Sequence, residues 1–427
     1  MKQLYTTDVH KLPEGSKVEV LGWVHELRDL GGVKFLVLRD REGFLQVTFK
    51  KDLAPELLKK FAELNHEDVV RVIGTVRKDP RAPGGTELLP EHVEVLAKAK
   101  EILPLDVTEK VKAEAETRFD YRVLDLRRPR IHAIFRVRDA LVEGMRQFLR
   151  KQGFIEIYTP KIIGAASEGG AQLFPVLYYG KEAFLSQSPQ LYKQLLVIAG
   201  FEKVYEIGPY FRAEESHTTR HLSESTAVDV ELAWTSLEEL VDLHYRLLAA
   251  GIEHVLEHCS RWLELLGASI DVPEKVVLDF EEAKEITKRA EQREELDFST
   301  EEEKILGEQF GNSIVYVLRY PLAARPFYTQ PDPRNPEKGL AFDGIYKGLE
   351  IVSGSVRVHD PELLRRQLKE RGIDPARFGF YVEAFEYGAP PHGGFGTGIE
   401  RILKQLLNLP HVREAIFFPR LPNRLVP

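Results

Sequence analysis

Arg212 directly follows an apolar, strand-like run, Val204–Phe211, within the tetrad Phe211-Arg212-Ala213-Glu214. A polar loop carrying Arg220 and His221 follows. A second strand-like run then ends in Asp229 and Glu231. The layout predicts two strands joined by a loop, with an arginine aimed off the first. A planar guanidinium there can grip a phosphate or a carboxylate in two-pronged fashion. The bland reading is a surface hairpin with incidental charges. A second cationic feature lies far along the chain: Gly393-Gly394-Phe395-Gly396-Thr397-Gly398-Ile399-Glu400-Arg401. Its glycines let the backbone approach a nucleotide closely, and its arginine opens a helix. Between the two, AFDGIYKGLEIVSGS reads as two short strands bearing Asp343, Glu350 and Ser353; taken alone, an acid in such a strand is ordinarily on a solvated face. Lys193 in SQSPQLYKQ and Arg357 in SGSVR add two more cations. No Ser-His-Asp or Cys-His arrangement is recognisable.

These residues need elements to hold them. The chain has 427 residues, which predicts two or three domains. Hydrophobic content is 43% and charged content 30%, as in soluble globular proteins. One cysteine, Cys259, excludes a disulfide framework or a Cys-based metal site and fits a reducing compartment. The first residues have no apolar signal-peptide core and no run approaches a membrane span, so a cytoplasmic protein is expected. The net charge of −8 argues against broad nonspecific nucleic-acid binding. A local basic face remains a candidate in Lys110–Arg138.

Residues 17–100 show strand-like patterning in KVEVLGWVHEL, VKFLVLRD, FLQVTFK and VVRVIGTVRK, with turns at Gly31-Gly32, Glu42-Gly43 and Pro83-Gly84-Gly85. A helix is predicted over Ala54–Glu67. Together these suggest a small five-stranded barrel of OB type over residues 1–103. Residues 104–125 read as a linker. From 126 to 427 strands alternate with helices. Apolar spacing predicts a long helix over Ile131–Gln152, stopped by Gly153 and followed by a strand over Phe154–Tyr158. Further helices are predicted over Ser236–Leu266, Glu301–Phe310 and Pro361–Arg371. The fold class expected is α+β, with a mainly antiparallel sheet flanked by helices.

With these motifs in order, the chain resembles the aspartyl-tRNA synthetases of archaeal/eukaryotic-like type, within class II of the aminoacyl-tRNA synthetases, over essentially its whole length. Ile131–Pro160, ending GFIEIYTP, matches the first class II motif, which forms the dimer interface in the family. Val204–Glu231 matches the second motif and Gly393–Arg401 the third. The resemblance implies a homodimer, ATP and Mg2+, and a two-step reaction. The aspartate carboxylate attacks the α-phosphate of ATP; the acyl group then passes to the terminal ribose of tRNA(Asp), and by extension tRNA(Asn).

Roles follow residue by residue. Arg212 would hold the α-phosphate and the substrate α-carboxylate, and Glu214 the adenine amino group. Arg220, His221 and Leu222 match a loop that closes over ATP. Gly398, Ile399, Glu400 and Arg401 belong to the ATP site, with Arg401 on the γ-phosphate and over the adenine face. Glu350 and Ser353 match the metal-binding pair, with Asp343 a weaker candidate. Lys193 and Arg357 would face the side-chain carboxylate of aspartate, helped by Ser353 and Gln190, while Glu168 matches a mobile-loop glutamate near the substrate ammonium. In the barrel, Phe35 would stack on an anticodon base, with Arg28 and Gln46 on base edges. His25 and Pro83 match loop positions that, in this subfamily, separate enzymes accepting one tRNA from nondiscriminating enzymes accepting two. Here they follow the nondiscriminating pattern. Ser225 departs from the family, standing where relatives commonly have the aromatic that sandwiches adenine; either another ring substitutes or ATP binds less tightly. Ser355, Val356, Val358 and Asp360 depart as well. The alternatives are an asparaginyl-tRNA synthetase, a tRNA-independent amide-forming paralogue, and an RNA-binding or regulatory protein with a retired site.

Overall fold

The computed structural model describes residues 4–51, 54–164, 173–213 and 219–427. Two compact units divide it, Met1–Arg128 and Pro129–Pro427.

The first unit is a closed five-stranded barrel. Its strands are β1 (Lys17–Asp29), β2 (Val33–Arg39), β3 (Phe44–Lys50), β4 (Val69–Lys78) and β5 (Thr86–Ala97), hydrogen-bonded in the order β1-β2-β3-β5-β4. Alternation supplies the core. Val18, Val20, Leu36, Leu38, Leu45, Val47, Val70 and Val72 point inward and are buried, while their neighbours face out. The expected helix after β3 forms over Pro55–Ala62 and covers the core with Phe61. The stretch expected as a linker folds with the barrel unit and carries two short helices, Ala115–Asp120 and Arg122–Asp125. The basic face suggested there is largely spent internally. Arg118 and Arg122 both bond Asp125, Arg122 being fully buried, and Arg127 pairs with Glu67 at 3.0 Å.

The second unit is built on an eight-stranded sheet. Helix α1 (Pro129–Lys151) precedes the short strand β6 (Ile155–Glu156); helix α2 (Gln190–Leu196) precedes the paired strands β7 (Lys203–Phe211) and β8 (Glu224–Ala233). Then come α3 (Leu237–His258), β9 (Glu274–Asp279), α4 (Thr300–Phe310), β10 (Ser313–Leu318), β11 (Ala341–Tyr346), β12 (Leu349–Arg357), β13 (His392–Gly398) and α5 (Ile399–Leu406). The sheet order is β9-β10-β11-β12-β13-β8-β7-β6, parallel at its two outermost pairs and antiparallel between them.

Several helix limits follow from local chemistry. Ser236 caps α3 through a capping box with Glu239, and Ser299 caps α4 in the same way with Glu302. The predicted helix over Ser236–Leu266 is two helices: α3 ends at Cys259 and a second runs Ser260–Leu266. Asp360 caps the helix Pro361–Glu370. The strand expected over Phe154–Tyr158 pairs only at Ile155–Glu156, alongside Val204 and Tyr205 of β7.

One face of the sheet is packed by helices, with His244 of α3 buried beneath it and bonded to Tyr316 and Thr397. The other face carries Arg212, Asp229, Glu231, Ser353 and Ser355 and forms the floor of a cavity. No described helix is long and apolar enough to cross a membrane.

Candidate active site

Strand register assembles the floor row by row. Across β7, β8, β13 and β12, Glu206 faces Asp229, Asp229 faces Gly396, and Gly396 faces Ser353. The next row on one side is Gly208, Ala227 and Gly398; on the other, Glu231, Gly394 and Ser355. Glycine is required at 394, because a Cβ there would collide with the Val230 carbonyl and the Glu231 carboxylate. At 396 a Cβ would stand 3.0 Å from Asp229 Oδ1. The third motif thus makes room for two acids on the neighbouring strand.

The cavity above this floor measures about 190 Å³. At one end Arg357 is anchored as a buried cation. Its Nε donates to Glu231 Oε1 at 2.9 Å, its Nη1 to Ser355 at 2.7 Å, and its Nη2 to Gln190 Oε1 at 3.2 Å. The Tyr328 ring packs against it, 5.2 Å from centroid to guanidinium carbon. Lys193 is buried one layer behind. Its Nζ donates to Asp229 Oδ1 at 3.0 Å and to the Phe395 carbonyl at 3.2 Å, and lies 3.3 Å from Glu231 Oε2. Burial pushes the Glu231 carboxyl up, but Arg357 and Lys193 outweigh it and hold it below its ordinary range. Gln190 is held in turn by Gln194, which bonds Tyr381 and His392.

At the other end Arg212 and Arg401 face the cavity. Arg212 emerges where β7 stops, with its backbone N–H bonded to the Ser223 carbonyl at 3.0 Å and its guanidinium 5.2 Å from the Tyr210 ring centre. Arg401, in the first turn of α5, donates to the Glu350 carbonyl at 3.0 Å. Beside them a smaller recess is walled by Tyr210, Arg220, His221, Leu222, Ser225, Gly398 and Glu400.

Residues 114–422 match the family described as tRNA synthetases class II (D, K and N), and residues 18–96 match the OB-fold nucleic acid binding domain. An aspartate–tRNA(Asp/Asn) ligase of Archaeoglobus fulgidus is 47% identical over 100% of both chains. An aspartate–tRNA(Asp) ligase of Pyrococcus abyssi is also 47% identical, over 99% of each. The chain belongs to the class II tRNA synthetases, among the aspartate–tRNA ligases. Solved structures agree. The asparaginyl-tRNA synthetase of Pyrococcus horikoshii complexed with asparaginyl-adenylate has a TM-score of 0.94 at 34% identity, covering 100% of both chains. The aspartyl-tRNA synthetase of Entamoeba histolytica has a TM-score of 0.88 at 30% identity, covering 100% of this chain and 93% of that one.

Within this synthetase Arg220 of the second motif is tied down. Arg220 donates to Thr300 at 2.7 Å, to the Gly348 carbonyl at 3.1 Å, and to Glu303 of α4. Burial drives the Glu303 carboxyl up to about 7, with Glu350 adding and Arg220 opposing. Burial, then Asp343, also raise the Glu350 carboxyl, against Arg401 and Arg325. Asp343 itself is paired with Arg325 at 2.7 Å. Glu350 and Ser353 both line the cavity although three residues apart, because β12 holds one extra residue opposite Gly344-Ile345.

Other expected residues divide. Glu168 and Glu214 fall outside the described residues. The Glu400 carboxylate is engaged by Arg138 at 2.9 Å and by the Thr226 N–H at 3.0 Å, and Ile399 is fully buried. In the barrel Arg28 lies opposite Phe35, and Phe35 opposite Thr48, so Arg28, Phe35 and Gln46 share its outer face. Phe35 is half-buried and stands outside the core cluster. Gln46 donates to Glu87 at 3.0 Å. Pro83 sits in an exposed turn as expected. His25 does not sit in a loop. It is the extra residue of a bulge in β1, between Val24 and Glu26, and is 8% exposed against Arg39 and Phe44. Sequence reasoning passed over Tyr328, Arg325 and Glu303. Each lies outside the three motifs and reaches the site only through tertiary packing.

Proposed function

We propose that the chain attaches L-aspartate to tRNA(Asp), and also to tRNA(Asn), through an aspartyl-adenylate. The observation that carries the aspartate reading is the buried Arg357–Glu231–Lys193 cluster at the closed end of the cavity. A side-chain carboxylate brought to Arg357 meets a fixed guanidinium backed by an ammonium. An asparagine amide would turn an N–H2 toward those donors and leave them unmatched, the kind of mismatch a polar site rejects strongly.

The chemistry is positional. Arg212, at the junction of the amino-acid and nucleotide ends, can hold the α-carboxylate against the α-phosphate of ATP. A carboxylate oxygen forms the new P–O bond, pyrophosphate leaves with the electron pair of the bond broken, and Arg212 and Arg401 face the charge that develops. The ribose hydroxyl of the tRNA terminus then attacks the acyl carbon and AMP departs. No protein nucleophile is needed.

Magnesium fits as a companion of the nucleotide. Among the described residues no group of three or more His, Cys, Asp or Glu side chains could hold a metal ion; Glu350 and Ser353 are the hard oxygen donors that would hold the ion here. The Glu350 carboxyl, raised by desolvation and by nearby Asp343, is a group that a cation would relieve. The ion would supply neutralisation of phosphate charge.

Phe35, Arg28 and Gln46 offer a stacking face and polar groups for the anticodon. The relatives divide over the second tRNA; Pro83, in its exposed turn, inclines the reading toward both. A homodimer joined through the first motif and a cytoplasmic location complete the proposal. Aspartate-dependent ATP–pyrophosphate exchange tests its first step: exchange with aspartate and none with asparagine supports it, and the reverse would overturn the role given to Arg357 and Lys193.

A further inference from the structure

We propose that Tyr210 provides the aromatic platform for the purine base of ATP, the place that Ser225 leaves empty in this chain. The inference rests on the adenylate-forming reading and adds a residue to it.

Tyr210 of β7 and Ser225 of β8 are directly opposed in the antiparallel register. Directly opposed residues share a face and have Cβ atoms about 5 Å apart. A ring carried on either strand therefore covers the same patch of sheet. Both residues line the small recess. Tyr210 lines both the main cavity and the small recess beside it. Its neighbours toward the cavity are small: Ala227 follows Ser225 by two on the same face, and Gly398 lies opposite Ala227. Arg401 belongs to the same recess. A flat base entering here would lie over a floor of a methyl and a glycine, between a phenol ring and a guanidinium.

Among the described residues the main cavity wall holds one other aromatic ring. Tyr328, also in the cavity wall, packs on Arg357 at the amino-acid end. Burial pushes the Tyr210 phenol up, so the ring stays neutral and keeps its electron-rich face. Arg212, 5.2 Å from the Tyr210 ring centre, couples the platform to the residue expected on the α-phosphate. The exchange of aromatic and small residue across one strand pair would thus keep the platform while changing which strand carries it.

The test is ATP binding by titration calorimetry on the whole chain with magnesium, alongside the ATP and aspartate KM values in pyrophosphate exchange. Tyr210→Phe should bind ATP as the unaltered chain does. Tyr210→Ala should weaken ATP binding about ten-fold, with the aspartate KM unmoved. The double variant Tyr210→Val with Ser225→Phe should recover most of that loss, and it decides the matter even if Tyr210→Ala fails to fold. Unchanged ATP binding in Tyr210→Ala, an equal loss in Tyr210→Phe, or no recovery in the folded double variant would each overturn the inference. Should the chain bind ATP but show no aspartate-dependent exchange, the aspartate reading fails, and the binding series still judges Tyr210.

Discussion

Arg357 is the residue on which substrate choice turns, because every contact that fixes it is buried. Removing one member of a buried, hydrogen-bonded charge pair costs about 2–5 kcal/mol. Arg357→Gln is therefore expected to lower kcat/KM for aspartate by about thirty-fold or more, with ATP binding by calorimetry little changed. An equal loss for both substrates would mean that the residue shapes the whole cavity. Glu303 gives a pH signature. Its carboxyl titrates near 7 in the folded chain against an ordinary 4.5. Between those values the folded state holds a proton that the unfolded state has lost, so stability falls as pH rises through that window. Glu303→Gln should remove this fall, so its thermal midpoint should gain on the unaltered chain between pH 5 and 7.5. Parallel curves would exclude the assignment. Much of this site was legible in sequence: Arg212, Glu350, Arg357 and Arg401 all reach the cavity wall. Lys193 does so only indirectly, through Asp229 and Glu231. Tyr328 and Glu303 were not legible, since nothing in their own segments signals a cation partner that arrives from another strand or loop.

At the scale of elements, the strand β13 is shaped by what its neighbour carries. A Cβ at 394 would run into the backbone and carboxylate of β8, one at 396 would press on Asp229, and one at 398 would meet nothing closer than 3.8 Å. Alanine substitution should follow that order. Gly394→Ala should destabilise most, by about 1–3 kcal/mol as overpacking does, and Gly396→Ala less. Gly398→Ala should leave the denaturant midpoint unchanged and raise the ATP KM by narrowing the floor. A flat series in denaturant unfolding would contradict the row-by-row account. Strand alternation made the barrel core readable, since period-two burial needs only local pattern. The bulges were not readable. His25 looked like a loop residue because its extra place in β1 appears only once β2 is paired beside it. Glu350 and Ser353, three apart, would face opposite ways in a regular strand; the extra residue in β12 brings both to the cavity.

Across the whole molecule the proposed function divides the labour between the two units, and that division can be tested. Phe35→Ala should lower kcat/KM for tRNA by about ten-fold or more, as loss of one stacked base does, while pyrophosphate exchange, which needs no tRNA, keeps its rate. Loss of exchange as well would place Phe35 in barrel packing. Ile155, Tyr158 and Leu177 leave large apolar surface exposed on the second unit, which a homodimer would cover. Sedimentation equilibrium should accordingly report twice the 48.8 kDa chain mass. The net charge of −8 makes broad electrostatic capture of tRNA a poor explanation of selectivity, which the proposed function assigns to the barrel face and the amino-acid cavity. The central claim, aspartate carried to two tRNAs, is tested most directly by charging purified tRNA(Asp) and tRNA(Asn) with aspartate or asparagine in the presence of ATP and magnesium. Aspartate on both tRNAs and asparagine on neither is the predicted result; asparagine on tRNA(Asn) would contradict it.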